Sequence, residues 1–172
     1  MKQVRNKATL HPYGYYILTI TKRTGETVDI LVDAADIEAV QSRNWCITTN
    51  GYAQNSTKKK TVLMHRFIMG IEKDSPVQVD HKSTNKCDNR RENLRICTGF
   101  DNAKNRRGKS CAASGAKGVW YIKNRKHPWR SFIQSDKVRI HVGYYSTKEA
   151  AVLAYNRAAI QYHGDFARLN EM

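Results

Sequence analysis

Runs of apolar and β-branched residues predict short strands in the first part of the chain. Residues 15–21 and 27–32 have this character, and Arg23-Thr24-Gly25-Glu26 between them is typical of a hairpin turn. Asp33 is predicted to cap a short helix, because apolar residues recur after it at helical spacing. Asn50-Gly51 predicts a second hairpin, since both positions of a two-residue turn must tolerate positive φ. We interpret these elements as a small N-terminal β/α region that serves as scaffold.

The last part of the chain has a clean two-residue period. Residues 119–122, 129–134 and 137–142 alternate in a way that predicts three strands with one apolar face and one basic, aromatic face. Ser146-x-x-Glu149 has the form of a capping box, and an alanine-rich stripe follows it. The stripe predicts a helix that packs closely on the apolar sheet face.

The middle of the chain predicts a strand, a loop, a second strand and a helix. The first strand ends at Asp80 and His81, and a polar loop follows. The second strand leads to Thr98-x-x-Asp101, which has the form of a capping box that opens the helix. We expect this order of elements to bring the following polar side chains to one place: His81, Asn93, and Asn102, Asn105 and Arg106 on one face of the helix.

The net charge indicates a polyanionic partner. Lys and Arg number 30 against 15 for Asp and Glu, which gives a formal charge of +15, so nucleic acid is the first partner to consider. Residues 1–40 hold five basic and five acidic side chains, whereas residues 102–145 hold eleven basic and one acidic. We therefore predict that the C-terminal half binds the polyanion. No small-molecule substrate is indicated, and no apolar run is long enough for a membrane partner.

Cysteine spacing and the N-terminus predict a reducing, cytoplasmic location. The cysteines are irregularly spaced and contain no C-x-x-C pair, so we interpret them as reduced structural thiols rather than metal ligands. They are Cys46, Cys87, Cys97 and Cys111. The first fourteen residues lack the apolar segment of a secretory signal.

The polar residues of the middle segment suit phosphodiester hydrolysis. That reaction needs a base that deprotonates water and a divalent cation that neutralises charge on the leaving oxygen. Histidine supplies a base near neutral pH, and carboxylate and amide oxygens are hard ligands for Mg²⁺ or Mn²⁺. An isolated Asp-His pair is more often a surface turn, so the interpretation depends on the combination of residues.

Residues 63–107 resemble the HNH endonucleases with a ββα-metal site, in the branch common among phage and intron-encoded homing enzymes. The resemblance is carried by Met64-His65-Arg66, Val79-Asp80-His81, Asp88-Asn89-Arg90, Asn93-Leu94-Arg95, Thr98 and Asn102-Ala103-Lys104-Asn105. His81 lies twelve residues before Asn93 and twenty-one before Asn102, as in that branch.

The resemblance implies a role for each site residue. It implies that Asp80 and Asn102 hold one Mg²⁺ or Mn²⁺, that His81 is the general base, and that Asn93 orients His81. We predict a phosphate contact for Arg95, because it lies beside Asn93. His65 lies among apolar residues, where a buried structural histidine is favoured over a catalytic one.

Residues 114–170 look like the APETALA2-type DNA-binding domain. The matching words are Lys117-Gly118-Val119, Trp129, Val142-Gly143-Tyr144-Tyr145, Thr147-x-Glu149-Ala150-Ala151, Ala154-Tyr155-Asn156-Arg157-Ala158-Ala159 and Ala167-x-Leu169-Asn170. The resemblance implies that the sheet lies in the major groove of DNA. The candidate DNA contacts are Trp120, Lys123, Arg125, Arg130, Gln134, Lys137, Arg139, His141 and, before this segment, Arg106. A solvated basic face is the alternative.

These observations predict an α+β chain in four parts. They are an N-terminal β-rich scaffold (1–61), an HNH core (62–108), a linker (109–114), and a three-stranded antiparallel sheet packed on one helix (115–172). The predicted function is a metal-dependent, homing-type endonuclease that nicks DNA as a monomer and is docked by its C-terminal sheet. A non-catalytic DNA-binding regulator with a nuclease fold, and an RNA-binding protein, are the alternatives.

Overall fold

The chain is a mixture of short helices and several small antiparallel sheets, in agreement with the predicted α+β class. The computed structural model describes residues 6–57, 61–72, 74–105, 114–136 and 138–171. The chain divides into two compact units, Met1–Thr98 and Gly99–Met172, while the four-part division stays a prediction. Two candidate DNA contacts, Arg106 and Lys137, lie outside the described residues, as does Cys111. No helix in the described part of the chain is long and apolar enough to cross a membrane.

The first unit opens with three antiparallel strands in sequential order. They are β1 (Lys7–Leu10), β2 (Tyr15–Thr21) and β3 (Thr27–Asp33). The predicted hairpin is confirmed, because the Lys22 N–H donates to the Glu26 carbonyl oxygen at 2.8 Å. Leu18 and Ile20 on β2 are buried together with Ile30 on β3, as the alternation of a half-buried sheet requires.

The predicted helix after β3 begins later than expected. The helix α1 (Ile37–Gln41) has Asp36, not Asp33, as its N-cap residue. Residues 34–36 form a turn, in which the Asp36 N–H donates to the Asp33 carbonyl oxygen at 3.0 Å. The Asp33 carboxylate instead accepts the Arg91 N–H at 2.7 Å, so a contact distant in sequence displaces the predicted cap.

Two further antiparallel sheets and a short helix complete the first unit. Their elements are β4 (Cys46–Ile47), β5 (Ala53–Ser56), β6 (Thr61–Leu63), α2 (Met64–Ile68), β7 (Gln78–His81) and β8 (Leu94–Cys97). The second hairpin is confirmed, but its turn spans residues 49–51 rather than two residues, because the Thr48 N–H donates to the Tyr52 carbonyl oxygen at 2.8 Å. Of Asn50 and Gly51, only Gly51 has a positive φ, at +80°. One hydrophobic core includes residues from both ends of the unit, among them Leu18, Val32, Trp45, Met64, Val79 and Leu94. The β7–β8 ribbon is therefore packed on the same core as the N-terminal sheet.

The second unit contains a three-stranded antiparallel sheet and a long helix that packs on it. Its elements are α3 (Gly99–Lys104), β9 (Val119–Tyr121), β10 (Trp129–Ser135), β11 (Val138–Tyr145) and α4 (Lys148–His163). The small side chains of Ala151 and Ala159 are fully buried with Val119 and Ile133, so α4 approaches the sheet closely.

The predicted cap of α4 is shifted by one residue. Thr147, not Ser146, is the N-cap, and its hydroxyl oxygen accepts the Ala150 N–H at 3.2 Å. The Ser146 hydroxyl instead forms a hydrogen bond with His127 Nδ1 at 2.8 Å. Ser is a slightly better N-cap than Thr, so intrinsic preference does not explain the shift, whereas the bond to His127 occupies the Ser146 hydroxyl.

A bulge interrupts the predicted alternation in the sheet. Ser131 pairs with Gly143 but Phe132 pairs with His141, so Val142 is the extra residue on β11. Two residues that we placed on the apolar face, Tyr121 and Val138, are 53% and 61% exposed because each lies at the end of its strand.

Gly118 is the tightest backbone position of the second unit. Its φ is +71°, and a Cβ there would lie 2.3 Å from the ring of Tyr155 and 2.4 Å from the carbonyl oxygen of Phe132. The resemblance singled out this glycine without giving a reason. The reason is that the chain must pass a large buried ring at van der Waals distance.

We predict that Gly118→Ala lowers the free energy of unfolding of the second unit by about 2–4 kcal/mol, because it combines left-handed strain with overpacking. Gly115→Ala is the matched control, since Gly115 has φ +65° but no atom within 4 Å of its Cβ position. The control should lose only about 1–2 kcal/mol. Urea denaturation of the full chain measures both, and equal losses would show that the Tyr155 ring moves aside.

Candidate active site and nucleic-acid interface

The β7–β8 ribbon presents Asp80 and His81 as adjacent residues at the end of a strand. Asp80 is paired across the ribbon with Arg95, and His81 with Leu94. Both side chains are buried. The residues that follow, 82–93, are called the His81 loop and connect the two strands. The ribbon therefore places Asp80, His81 and Arg95 close together, with Asn93 just before the second strand.

Asp80 and Arg95 form a nearly buried ion pair. Arg95 donates from Nε at 3.0 Å and from Nη2 at 2.6 Å to the same carboxylate oxygen of Asp80. Both side chains are about nine-tenths buried, with 12% of Arg95 and 9% of Asp80 exposed. The guanidinium that we assigned to a phosphate thus compensates the charge of the candidate metal ligand.

The His81 ring is held by Asn89 rather than by Asn93. His81 Nε2 lies 3.3 Å from Asn89 Oδ1, and the Asn89 amide donates in turn to the Lys86 carbonyl oxygen at 3.1 Å. An amide oxygen only accepts, so Nε2 carries the proton and Nδ1 bears the lone pair of the neutral ring. Burial lowers the pKa of His81, and the Asn89 contact and nearby carboxylates partly offset this effect.

Asn93 acts on the His81 loop and not on the ring. Its side-chain oxygen accepts the Ser83 N–H at 2.9 Å, and its amide donates to the Asp88 carbonyl oxygen at 2.8 Å. Asn93 thus bonds the loop that follows His81, and its role in orienting His81 stays a prediction. The loop must turn back to reach β8, and Asn93 supplies partners for two of its backbone groups, of which the Asp88 carbonyl is buried.

The His81 loop is also fastened to β3 by backbone hydrogen bonds. The Leu31 N–H donates to the Cys87 carbonyl oxygen at 2.8 Å, and the Asn89 N–H donates to the Leu31 carbonyl oxygen at 2.9 Å. Asn89 is 1% exposed, so this bridge fixes the residue that contacts His81. Sequence reasoning gave Asn89 no role, because pairing between β3 and a distant loop leaves no local pattern.

Two arginines near the end of the His81 loop form ion pairs with aspartates. Arg90 binds the Asp88 carboxylate through Nε at 2.9 Å and Nη2 at 2.8 Å, and Arg91 binds Asp36 through the same two atoms at 2.8 Å each. Burial alone would raise the pKa of Asp88, but the hydrogen bonds and charge of Arg90 outweigh it and lower the pKa. Sequence reasoning missed Arg91, whose acidic partner lies 55 positions away.

His65 and Tyr52 form an aromatic wall beside His81. The His65 and His81 ring centroids are 4.9 Å apart with the rings edge to face, and Tyr52 lies 5.3 Å from the His65 ring. His65 is buried, as expected for a structural histidine. Burial, reinforced by the charges of His81 and Arg66, lowers the pKa of His65 to about 3.

Within the described residues, no three His, Cys, Asp or Glu side chains are grouped to hold a metal ion. The described cysteines, Cys46, Cys87 and Cys97, form no disulfide with one another. Asp80 offers a carboxylate, which fits a hard ion that takes its remaining ligands from water and phosphate. Asn102 is on α3 in the second unit, so its pairing with Asp80 stays a prediction.

One face of the C-terminal sheet combines cationic and aromatic side chains. Cross-strand pairing puts Trp120 beside Arg130 and Tyr144, Phe132 beside His141, and Gln134 beside Arg139. These seven residues are called the outer face, and α4 covers the opposite side. The predicted contacts Trp120, Arg130, Gln134, Arg139 and His141 therefore share one surface, and Lys123 and Arg125 belong to the adjacent β9–β10 loop.

Aromatic rings support the arginines of the outer face. The Arg139 guanidinium lies 4.6 Å from the Phe132 ring centroid, and Arg125 lies 4.6 Å from that of Tyr144. Such cation–π contacts hold a guanidinium flat and at low entropy cost. Phe132 and Tyr144 are thus functional candidates that we missed. The alternation placed Phe132 on this face, and the bulge brings Tyr144 to it.

A comparison with known proteins supports a nuclease. The chain is 28% identical, over 137 residues, to an uncharacterized HNH endonuclease of Acanthamoeba polyphaga mimivirus. The match covers 77% of this chain and 70% of that protein, which is more than either unit alone could supply. No family model and no solved structure matches the chain. The similarity therefore extends beyond the short HNH motif.

The lowered pKa of His65 predicts a pH-dependent stability. The unfolded side chain has a pKa of 6.5 and the folded one about 3, so between these values the unfolded chain binds more protons. The free energy of unfolding should fall as the pH falls through this window. His65→Gln should remove up to about 1.4 kcal/mol per pH unit of that slope.

Urea denaturation of wild type and variant between pH 7 and pH 4 measures the two slopes. His11→Gln, a change at a histidine outside this cluster, is the control and should keep the wild-type slope. Parallel curves for wild type and His65→Gln would contradict a neutral buried His65.

Proposed function

We propose that the chain is a metal-dependent endonuclease of HNH type that hydrolyses phosphodiester bonds in double-stranded DNA. The observation that carries the proposal is the buried Asp80-His81 pair at the strand end, with His81 Nε2 held by Asn89. A carboxylate ligand and an imidazole base then stand side by side on a fixed ribbon. The similarity to the mimivirus protein supports the same class of enzyme.

In the proposed mechanism, His81 removes the proton from the attacking water. Nδ1 receives it, because Nε2 is engaged with Asn89. Asp80 and Asn102 would hold a Mg²⁺ or Mn²⁺ ion, which when bound neutralises charge on the scissile phosphate and the leaving oxygen. Arg95 fixes the orientation of the Asp80 carboxylate. Asn93 keeps the His81 loop folded and so acts through position.

The outer face is proposed to dock the enzyme on duplex DNA. It carries Arg130, Arg139 and His141, with Lys123 and Arg125 in the adjacent loop. The arginines are held by aromatic rings and directed along one surface, as strand readers of the major groove require. This arrangement supports an APETALA2-like mode of binding, in which the sheet supplies affinity and the first unit supplies chemistry.

We further propose that the enzyme nicks one strand as a monomer, in the manner of a homing-type nuclease. One chain has one Asp80-His81 pair, and a single base with a single ion cuts one phosphodiester per binding event. The DNA strands are antiparallel, so two cuts need a second active site in the opposite orientation.

A non-catalytic DNA-binding regulator is the second candidate. The observation that favours it is the ion pair of Asp80 with Arg95, which already compensates the carboxylate that a metal would need. The outer face would then be the functional part of the chain, and the His81 loop would be a scaffold.

Cleavage of a supercoiled plasmid separates the two candidates. The wild-type chain with Mg²⁺ or Mn²⁺ should produce open circles before linear DNA, and EDTA should stop the reaction. His81→Ala should lower the cleavage rate by roughly 10²-fold or more while DNA affinity stays within about twofold, because only the base is lost. His11→Ala is the control. Binding without cleavage in the wild type would favour the regulator.

The outer face is tested by the double variant Arg130→Gln/Arg139→Gln. Duplex affinity should fall about tenfold or more, and the slope of log affinity against log salt should decrease by about 2, since two phosphate contacts are lost. The matched control is Lys148→Gln/Arg157→Gln. This double variant also removes two positive charges, but from α4, which packs on the sheet face opposite the outer face. Equal losses in the two double variants would show that net charge, and not this face, binds the DNA.

Cleavage assays with structured RNA as competitor address the RNA-binding alternative. Preference for the duplex is expected if the sheet enters a major groove, because the deep major groove of RNA is closed to side chains.

A further inference from the structure

We propose that Lys117 is a positioning residue that fastens α3, and with it the candidate metal ligand Asn102, to the DNA-binding sheet. The inference rests on the proposed nuclease function and adds a requirement to it. The helix α3, which carries Asn102, belongs to the unit that is proposed to dock the DNA. Its position relative to the docking sheet would therefore affect metal binding.

The helix α3 has little apolar anchorage of its own. None of its six residues is buried, and the Phe100 side chain is 62% exposed. A cavity of about 360 Å³ is lined by Phe100 and Ala103 of α3 together with Tyr155 and His163 of α4. No α3 side chain is buried in the core, so polar contacts contribute to the position of this helix.

Lys117 provides such a contact. Its Nζ donates a hydrogen bond to the carbonyl oxygen of Lys104, the last residue of α3. The carbonyl groups of the last turn of a helix have no partner within the helix, so an external donor satisfies one of them. A positive charge at a helix C-terminus is also favourable for the helix dipole.

The backbone of Lys117 is itself fixed from two directions. The Asn170 side chain accepts the Lys117 N–H at 2.7 Å and donates to the Lys117 carbonyl oxygen at 3.0 Å. Asn156 on α4 pairs with the backbone of Asn170 in the same way, at 3.0 and 2.8 Å. Lys117 is thus part of a rigid chain of paired hydrogen bonds that begins on α4.

The next residue connects this anchor to the outer face. The Gly118 carbonyl oxygen accepts the Phe132 N–H at 2.9 Å, and the Phe132 ring supports the guanidinium groups of Arg130 and Arg139. Two consecutive residues, Lys117 and Gly118, therefore link the candidate ligand helix to the side chains proposed to bind DNA. Sheet, α4 and α3 would move as one body when the chain binds a duplex.

This arrangement gives Lys117 a role that differs from that of the catalytic residues. Lys117 would touch neither DNA nor the metal ion, and it would act only by holding α3 where Asn102 can reach the ion. Its loss should leave docking intact and weaken the metal site.

The test is Lys117→Met in the full chain, which keeps the apolar stem and removes the donor. Hydrogen exchange of the α3 amides should become about tenfold faster, as expected for the loss of one charge-assisted hydrogen bond. The dissociation constant of Mn²⁺, measured on the complex with uncleaved duplex DNA, should rise about tenfold. Duplex affinity should stay within about twofold. Lys117→Arg, which restores a cationic donor, should recover both values at least in part.

Lys148→Met on α4 is the matched control for charge, and it should change neither quantity. Unchanged α3 exchange in Lys117→Met would overturn the anchor, and faster exchange with unchanged Mn²⁺ affinity would overturn its connection to the metal. A loss of DNA binding equal to the loss of Mn²⁺ binding would identify Lys117 as a general fold residue. If the wild type binds Mn²⁺ through Asp80 yet does not cleave, the proposed nuclease function fails while the positioning role stands.

Discussion

The hydrogen bonds between the His81 loop and β3 are the constraint on which the candidate site depends. Leu31 exchanges two backbone hydrogen bonds with the loop, at Cys87 and Asn89, and the Asn89 side chain then contacts His81. Polar groups buried in this way cost free energy unless each has a partner, at about 1–3 kcal/mol per unpaired group. Asn93 supplies two further hydrogen bonds to the loop backbone, which fix the path of the loop even though Thr84 within it has a left-handed φ of +63°.

The sequence predicts the local elements of this fold better than its long-range connections. Periodicity and turn residues identify β2, β3 and the C-terminal sheet, because these signals depend only on neighbouring residues. The caps at Asp33 and Ser146 were wrong because partners distant in sequence, Arg91 and His127, bind those side chains. The bulge at Val142 was also missed, since two-residue alternation continues on both sides of it.

In the candidate site, too, local features could be predicted from the sequence and long-range contacts could not. The strand end at Asp80 and His81 was predictable, because a β-rich run stops there and a polar loop begins. The partner of His81 was not, since two asparagines, Asn89 and Asn93, have the same chemistry and only the path of the loop decides which one meets the ring. On the outer face, the cationic residues were visible from charge alone. Their aromatic supports needed the cross-strand register that the bulge sets.

Arg95 decides how a metal ion would bind at Asp80. The two side chains share one carboxylate oxygen at 2.6 and 3.0 Å, an attraction of about 4 kcal/mol or more for charges at such distances near a protein surface. A divalent cation at Asp80 would meet the positive guanidinium as well as the carboxylate, so the protein alone offers it a weak site. Phosphate oxygens of bound DNA would add the negative charge that the site lacks, and Mg²⁺ commonly takes such ligands. Under the proposed function, metal and DNA therefore bind together. The Asp80–Arg95 ion pair weakens metal binding in the free protein, so the complete metal site forms only when DNA is bound.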